Sequence, residues 1–230
     1  MYIEFEKLKE YGFTAIQTTK DEKDMKDEKN LEKIINKLNI DRKYLVKGVQ
    51  THSTNILCVD KNTDISDIKD YDGYITNDKN MTLLAYFADC MPMFLIDKNK
   101  KTFSLLHGGW RGSSNKILEK AINIMVEKYD ANKNDILVVL GICISSKNYE
   151  ISKDLADELL KNLKFDKIIE RNNEKYYLNL AMLNKNIAIS NGILEENIIL
   201  NNYCTFDGNF FSYRKDKTTS RMAAIIKVGE

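Results

Sequence analysis

The residues Thr102-Phe-Ser-Leu-Leu-His-Gly-Gly-Trp-Arg-Gly112 constrain this chain more than any other stretch. An apolar, strand-like run stops at a histidine, two glycines, the only tryptophan, an arginine and a third glycine. Packing alone gives no reason to gather His107, Trp110 and Arg111 at the end of a strand. The glycines call for a tight turn, or for backbone that closely approaches something. Chemistry is therefore expected here, and the rest of the chain is expected to supply its partners.

Histidine is scarce, with only His52 and His107 present. His52 lies in Gln50-Thr-His-Ser53, between strand-like runs at 44–49 and 56–59. Cys90 lies in Ala88-Asp-Cys-Met-Pro92, between strands predicted over 82–87 and 93–96. Pro92, the single proline, cannot donate to a sheet ladder, so a break or bulge is expected there. A bulge re-aims side chains, here Asp89 and Cys90. A hairpin turn over 97–101 then brings the chain back through 102–106 to His107. That makes Cys90 and His107 products of neighbouring strands.

Two neutral imidazoles and a thiolate suit a tetrahedral zinc ion with one position left for water. Zinc lowers the pKa of such a water to about 7. Asp89 beside Cys90 would support the ligands or carry a proton. The same atoms without metal make Cys90 a nucleophile with His107 as its base. Two satisfied histidines and a buried thiol are a third account, and spacing does not separate the three.

Among 35 basic residues only five are arginine, so arginine is expected where its planar fork is needed. Arg111 follows His107 by about one helical turn, in a glycine-rich turn that opens a helix. Free N–H groups there suit an anion, phosphate or carboxylate. Arg214, in Phe210-Phe-Ser-Tyr-Arg214, is its expected companion, with Arg221 nearby in sequence; ordinary ion pairs are the alternative for Arg111 and Arg214. Asp72 precedes a glycine, and turn chemistry alone accounts for it. Trp110 either walls a pocket or packs in a core.

The remaining pattern alternates short strands with helices, without repeats or a Pro/Gly-rich linker. Strands are predicted at 13–18, 136–140 and 198–200, and a closing hairpin over 210–214 and 222–228. Helices are predicted from the apolar spacing at 25–38, 117–129, 155–163 and 180–188, with Ser113 or Ser114 capping the second. This is no clean βαβ alternation, so one α/β domain of α+β type with a mixed sheet is expected over residues 1–230. A net charge of +1 does not point to nucleic acid or a membrane surface. No apolar run reaches membrane-span length, and the first residues lack the apolar core of a signal peptide. A cytoplasmic protein with reduced thiols at Cys58, Cys90, Cys143 and Cys204 is expected. Oligomeric state is beyond the sequence.

Taken in order, several segments resemble one family. They are Gln50-Thr-His-Ser53, Asp72-Gly-Tyr-Ile-Thr76, Ala88-Asp-Cys-Met-Pro92, His107-Gly-Gly-Trp-Arg-Gly112, Tyr149-Glu150, and Phe210-Phe-Ser-Tyr-Arg-Lys-Asp216 with Arg221. The chain is identified as a member of the YfiH family, once described as laccase-like multicopper polyphenol oxidases and now as purine nucleoside phosphorylases. The resemblance implies a layered αββα sandwich related to cysteine hydrolases of the cytotoxic-necrotizing-factor type. It implies zinc on His52, Cys90 and His107, with copper ranked lower because two histidines are too few for a blue-copper oxidase. It implies phosphorolysis of adenosine, inosine, guanosine and methylthioadenosine, with adenosine deamination as a second reaction. Asp89 is then a catalytic candidate, and Arg111, Arg214 and Asp72 are substrate- or phosphate-binding candidates. A metal-free Cys–His amidase acting on cell-wall precursors and a copper-dependent phenol oxidase are the alternatives. Three positions depart from the family pattern: Gly108 for alanine, Ile142 for proline and Ser220 for glycine. The last two are expected to alter backbone restrictions near the pocket.

Overall fold

The structure is a computed structural model describing residues 1–229. Its first half contains β1 (Tyr2–Glu4), α1 (Glu6–Lys9), β2 (Phe13–Thr18), α2 (Glu28–Lys37), β3 (Leu45–Val46), β4 (Ile56–Cys58), β5 (Gly73–Thr76), β6 (Thr82–Phe87), β7 (Met91–Asp97) and β8 (Phe103–Gly108). Next come α3 (Trp110–Ser114), α4 (Ile117–Tyr129), β9 (Ile136–Leu140), β10 (Glu150–Ile151) and α5 (Lys153–Leu163). The chain finishes with β11 (Ile169–Asn172), β12 (Lys175–Leu178), α6 (Leu180–Ser190), β13 (Ile198–Ile199), α7 (Tyr213–Asp216) and β14 (Met222–Val228).

Three sheets result. One has the order β1-β2-β14-β6-β3, a second β13-β9-β7-β8-β5-β4, and a small third β10-β12-β11. Both large sheets are mixed. They are antiparallel except where β3 pairs with β6, β13 with β9, and β4 with β5.

The layers follow from the period-two alternation of strand side chains. In β14, Met222, Ala224 and Ile226 face the second sheet, while Ala223 and Ile225 face away. In β6, Leu83, Ala85 and Phe87 point inward and Leu84 outward. Phe94 and Ile96 of β7, Phe103 and Leu105 of β8, and Leu137 and Val139 of β9 meet the inward set. The outer face of the first sheet packs on Leu31, Ile34 and Ile35 of α2. The outer face of the second takes Ile117, Leu118, Ala121, Ile122 and Met125 of α4, with Leu159, Leu163, Leu183 and Ile187 from α5 and α6. The order is helix, sheet, sheet, helices: the αββα sandwich that the resemblance implied. Among the described residues, no helix is long and apolar enough to cross a membrane.

The site is positioned by a change of sheet. β6 belongs to the first sheet and β7 to the second, so the chain crosses between them at Ala88-Asp89-Cys90. Asp89 makes the crossing in a left-handed conformation, φ +82°. Pro92 does not break the strand as expected, because it is the second residue of β7, opposite His107. Its carbonyl accepts from Gly141 N on the β9 side, where β9 has just ended, so its missing N–H leaves no ladder partner unpaired.

Other expectations are corrected. Residues 210–214 form no hairpin with 222–228. β14 is instead a central strand between β2 and β6, and Tyr213–Asp216 is a helical turn. Neither Ser113 nor Ser114 caps a helix. Both lie inside α3, whose first turn follows Gly109, and α4 begins separately after Lys116. The run at 44–49 forms a strand only at Leu45–Val46. Gly73 starts β5 and makes no turn; its lack of a side chain serves close packing, since a Cβ there would stand 2.7 Å from Leu106 Cδ2. Ile142 is fully buried in the core between the sheets and does not line the cavity described below. Its N–H donates to Gln17 Oε1 and its carbonyl accepts from Gln17 Nε2, both at 2.9 Å. A proline at that position could not make the first of these bonds.

Candidate metal centre and its cavity

His52 is placed by two clasps. Gln50 acts as a substitute strand partner for β6: Tyr86 N donates to its Oε1 at 2.8 Å, and its Nε2 donates to Tyr86 O at 2.9 Å. The second clasp is the carboxylate of Asp72. It accepts from the backbone N–H groups of Thr51 (3.0 Å), His52 (3.1 Å) and Ser53 (2.8 Å), and from Ser53 Oγ (3.0 Å). Consecutive N–H groups converging on one anion stabilise an otherwise sparse backbone conformation. His52 accordingly sits at φ +62°.

The same carboxylate holds the second histidine. Asp72 Oδ1 lies 2.7 Å from His107 Nδ1, and Asp72 O accepts from His107 N at 2.7 Å. With Nδ1 turned to Asp72, Nε2 is the His107 nitrogen that faces the site. Burial raises the pKa of Asp72, but the bond and charge of His107 and the N–H groups of Ser53 and Thr51 outweigh it and bring it to about 2. Asp72 is thus an ionised anchor that orients both histidines. It is 1% exposed, and its two oxygens are taken up by these donors.

Cys90 enters from the crossing between sheets. Its Sγ lies 3.8 Å from His52 Nε2. One donor atom from each of His52, Cys90 and His107 lies within 4.8 Å of the others. The imidazole rings stand edge to face at 4.9 Å. Burial opposes ionisation of Cys90, but the charge and hydrogen bond of His107, then those of His52, lower the thiol to about 6. His107 moves the other way: burial lowers it, while the Cys90 thiolate and Asp72 raise it to about 9.

Three converging donors, a carboxylate behind one of them and a space kept open beside them fit a metal ion. The space is kept by Gly109. A Cβ there would stand 3.0 Å from Cys90 Sγ and 3.1 Å from His52 Cδ2. We therefore expect Gly109→Ala to fold normally and to bind metal at least about tenfold more weakly. Titration against a competing chelator checks this, and unchanged affinity would show that the cradle is not the metal's.

The centre opens into a cavity of about 690 Å³ at the ends of both large sheets. Arg111 reaches this cavity from α3, its guanidinium 4.4 Å from the Trp110 ring. Trp110 lines the cavity and also packs against the outer core, so it serves both alternatives. Arg214 reaches the same cavity over Tyr149 (5.1 Å), with Nη1 donating to Glu150 O at 2.7 Å. Asp89 is on the wall, but both its oxygens are engaged. Thr205 Oγ1 donates to one at 2.7 Å and Arg214 N to the other at 2.6 Å. The cavity also holds residues that sequence reasoning passed over: Tyr86, Lys26 and Lys217. Nothing in their local sequence marks them, because the pairing of distant strands assembles that wall.

A family described as multi-copper polyphenol oxidoreductase laccase matches residues 9–229. The chain belongs to this family. The Bacillus subtilis protein named purine nucleoside phosphorylase YlmD is 30% identical over 222 residues, covering 91% of this chain and 80% of that protein. Among solved structures, the hypothetical protein YfiH of Bacillus licheniformis superposes with a TM-score of 0.88 at 25% identity, covering 99% of this chain and 96% of that one. YlmD of Geobacillus stearothermophilus superposes with a TM-score of 0.86 at 24% identity, covering 95% and 93%. The YfiH resemblance carried by the motifs is thereby borne out. In this member of the laccase-named family, a His–Cys–His group that could hold a metal ion faces a cavity with exposed arginine.

Proposed function

We propose that the chain is a zinc-dependent purine nucleoside phosphorylase with adenosine deamination as a side activity. The observation that carries this reading is the convergence of His52, Cys90 and His107 beside Arg111 and Arg214 in one cavity. The names of its relatives supply the substrate class. Two imidazoles and a thiolate are a donor set that zinc accepts. Two histidines in the whole chain are too few for several copper centres, which disfavours phenol oxidation. Bound zinc supplies Lewis-acid charge to polarise the substrate or a water beside it.

The chain's own residues do the positioning. Among the described residues Arg111 has no carboxylate partner, and it presents a planar fork to an oxyanion such as phosphate. Arg214 is fixed by Glu150 O and Tyr149, and faces the same space. Phosphate held by this pair lies where one of its oxygens can attack the anomeric carbon. The bond from that carbon to the purine nitrogen breaks, and the base leaves with the electron pair and takes up a proton. Asp89 fixes the turn that carries Cys90 and the segment that carries Arg214.

Incubation with inosine and phosphate tests this reading. Hypoxanthine and ribose 1-phosphate should form in equal amounts, and release of free ribose instead would refute phosphorolysis. His107→Ala should lose its zinc, and unchanged zinc stoichiometry would sink the ligand assignment.

One observation favours a second reading. Asp72, His107 and Cys90 form an aligned carboxylate–imidazole–thiolate series, the arrangement of an activated cysteine nucleophile. In that case the chain is a metal-free hydrolase or amidase. Full activity after chelation, abolished by Cys90→Ser, would select it.

A further inference from the structure

The cavity carries more positive charge than one phosphate needs. Five cationic side chains line it: Lys26, Arg111, Arg214, Lys217 and Arg221. Among the described residues none of the five has a carboxylate within ion-pair distance, although their neighbour Lys20 is paired with Asp216. Among the described residues Asp89 is the only carboxylate on the wall, and both its oxygens are engaged. The chain as a whole is nearly neutral, so this is local segregation of charge.

The five cations divide by origin. Arg111 stands on the second sheet's side, directly after β8, next to the metal centre. Lys26 and Arg221 stand on the first sheet's side, where their backbones are locked together. Met25 N donates to Arg221 O at 2.9 Å, and Arg221 N donates to Asp24 Oδ1 at 2.9 Å. Met25 is fully buried, which pins the segment. The Arg221 guanidinium is half-buried. Its Nη1 is fixed on Thr218 O (3.1 Å) and Ser220 O (2.9 Å), which leaves the rest of the fork towards the cavity. Lys217 arrives at this wall from the end of α7, its Nζ 5.0 Å from the Tyr213 ring. A preorganised arginine with two unpaired lysines beside it is a receptor for an oxyanion.

We propose that Lys26, Lys217 and Arg221 form a second anion subsite, which takes a phosphate carried by the nucleoside itself. The ligand class is the purine nucleoside 5′-monophosphate, bound with its base and sugar towards the metal centre and its phosphate on the first sheet's wall. The nucleoside part of this inference rests on the function proposed above; the subsite rests on the charge and geometry of the wall. A cavity of about 690 Å³ is within the range that houses ligands of this size.

Trp110, the only tryptophan, lines the cavity and reports binding without turnover. Its fluorescence is followed in the metal-replete protein during titration with inosine and with inosine 5′-monophosphate. The monophosphate should bind at least about tenfold more tightly, the gain expected of charge-assisted hydrogen bonds. The preference should persist in saturating inorganic phosphate, shrink as ionic strength rises, and fall below about threefold in K26A/K217A. Both lysines are exposed, so the double variant keeps the core intact. Equal affinities, a preference abolished by inorganic phosphate, or a preference unchanged in K26A/K217A would each overturn the subsite. Absence of phosphorolysis with inosine would refute the proposed reaction, while the fluorescence titration would still decide the subsite.

Discussion

Asp72→Asn should destabilise the fold by about 3 kcal/mol and weaken metal binding by about 10- to 100-fold. The carboxylate receives donors on both oxygens. His52 N and His107 Nδ1 approach Oδ1, while Thr51 N, Ser53 N and Ser53 Oγ approach Oδ2. An asparagine has one acceptor oxygen, so its NH₂ must face one of these donor groups. Whichever way it turns, buried N–H groups lose their acceptor, and the backbone of His52 loses the support for its positive φ. Urea unfolding and a competitive metal titration measure the two effects. An Asp72→Asn protein with wild-type metal affinity would remove Asp72 from its positioning role.

The same contact sets an acid limit. The folded-state pKa of Asp72 is about 2, below the ordinary carboxylate value near 4. Its contribution, roughly 2 kcal/mol, is fully present above pH 4 and disappears as the pH falls towards 2. Above pH 4 this group adds no further pH dependence to stability.

In metal-stripped protein, Cys90 should react with iodoacetamide along a pH profile centred near 6, far below the ordinary thiol range. The thiol is lowered to about 6 because His107 and His52 outweigh its burial. The nucleophilic thiolate then predominates at neutral pH. His107→Ala removes the chief stabilising charge and should move the midpoint up by at least about one pH unit. Zinc should protect the cysteine fully. Cys143 serves as the internal control, since burial drives its thiol far upward. Mass spectrometry of the alkylated peptides distinguishes the two sites. A Cys90 midpoint near 9 in the stripped protein would contradict the thiolate–imidazolium pairing.

The parts of this site that depend on local pattern were legible in the sequence. Alternating apolar residues around the polar run 97–101 specify the β7–β8 hairpin, and that hairpin alone makes Cys90 and His107 neighbours. The apolar spacing of Leu31, Ile34 and Ile35 specifies α2. What was not legible depends on distant pairing. The segment 210–214 reads as a strand because it is aromatic, yet β14 finds better partners in β2, some two hundred residues away, and in β6. Asp72-Gly73 reads as a turn because the dipeptide favours one. The structure uses the aspartate as a buried anchor and the glycine for close approach to Leu106. In the cationic wall only Arg221 stood out in the sequence, through the scarcity of arginine; Lys26 and Lys217 have no local signature, because the wall exists only once segments from the two ends of the chain meet.

The central claim is that a metal held by His52, Cys90 and His107 supports phosphorolysis in this cavity. The most direct measurement is phosphate-dependent release of hypoxanthine from inosine by protein that is metal-replete, stripped by chelation, and reloaded with zinc. The account predicts activity in the first, a loss of at least about a thousandfold in the second, since such charge contributes several kcal/mol, and recovery in the third. Full activity of the stripped protein, or of a His107→Ala protein free of metal, would contradict it.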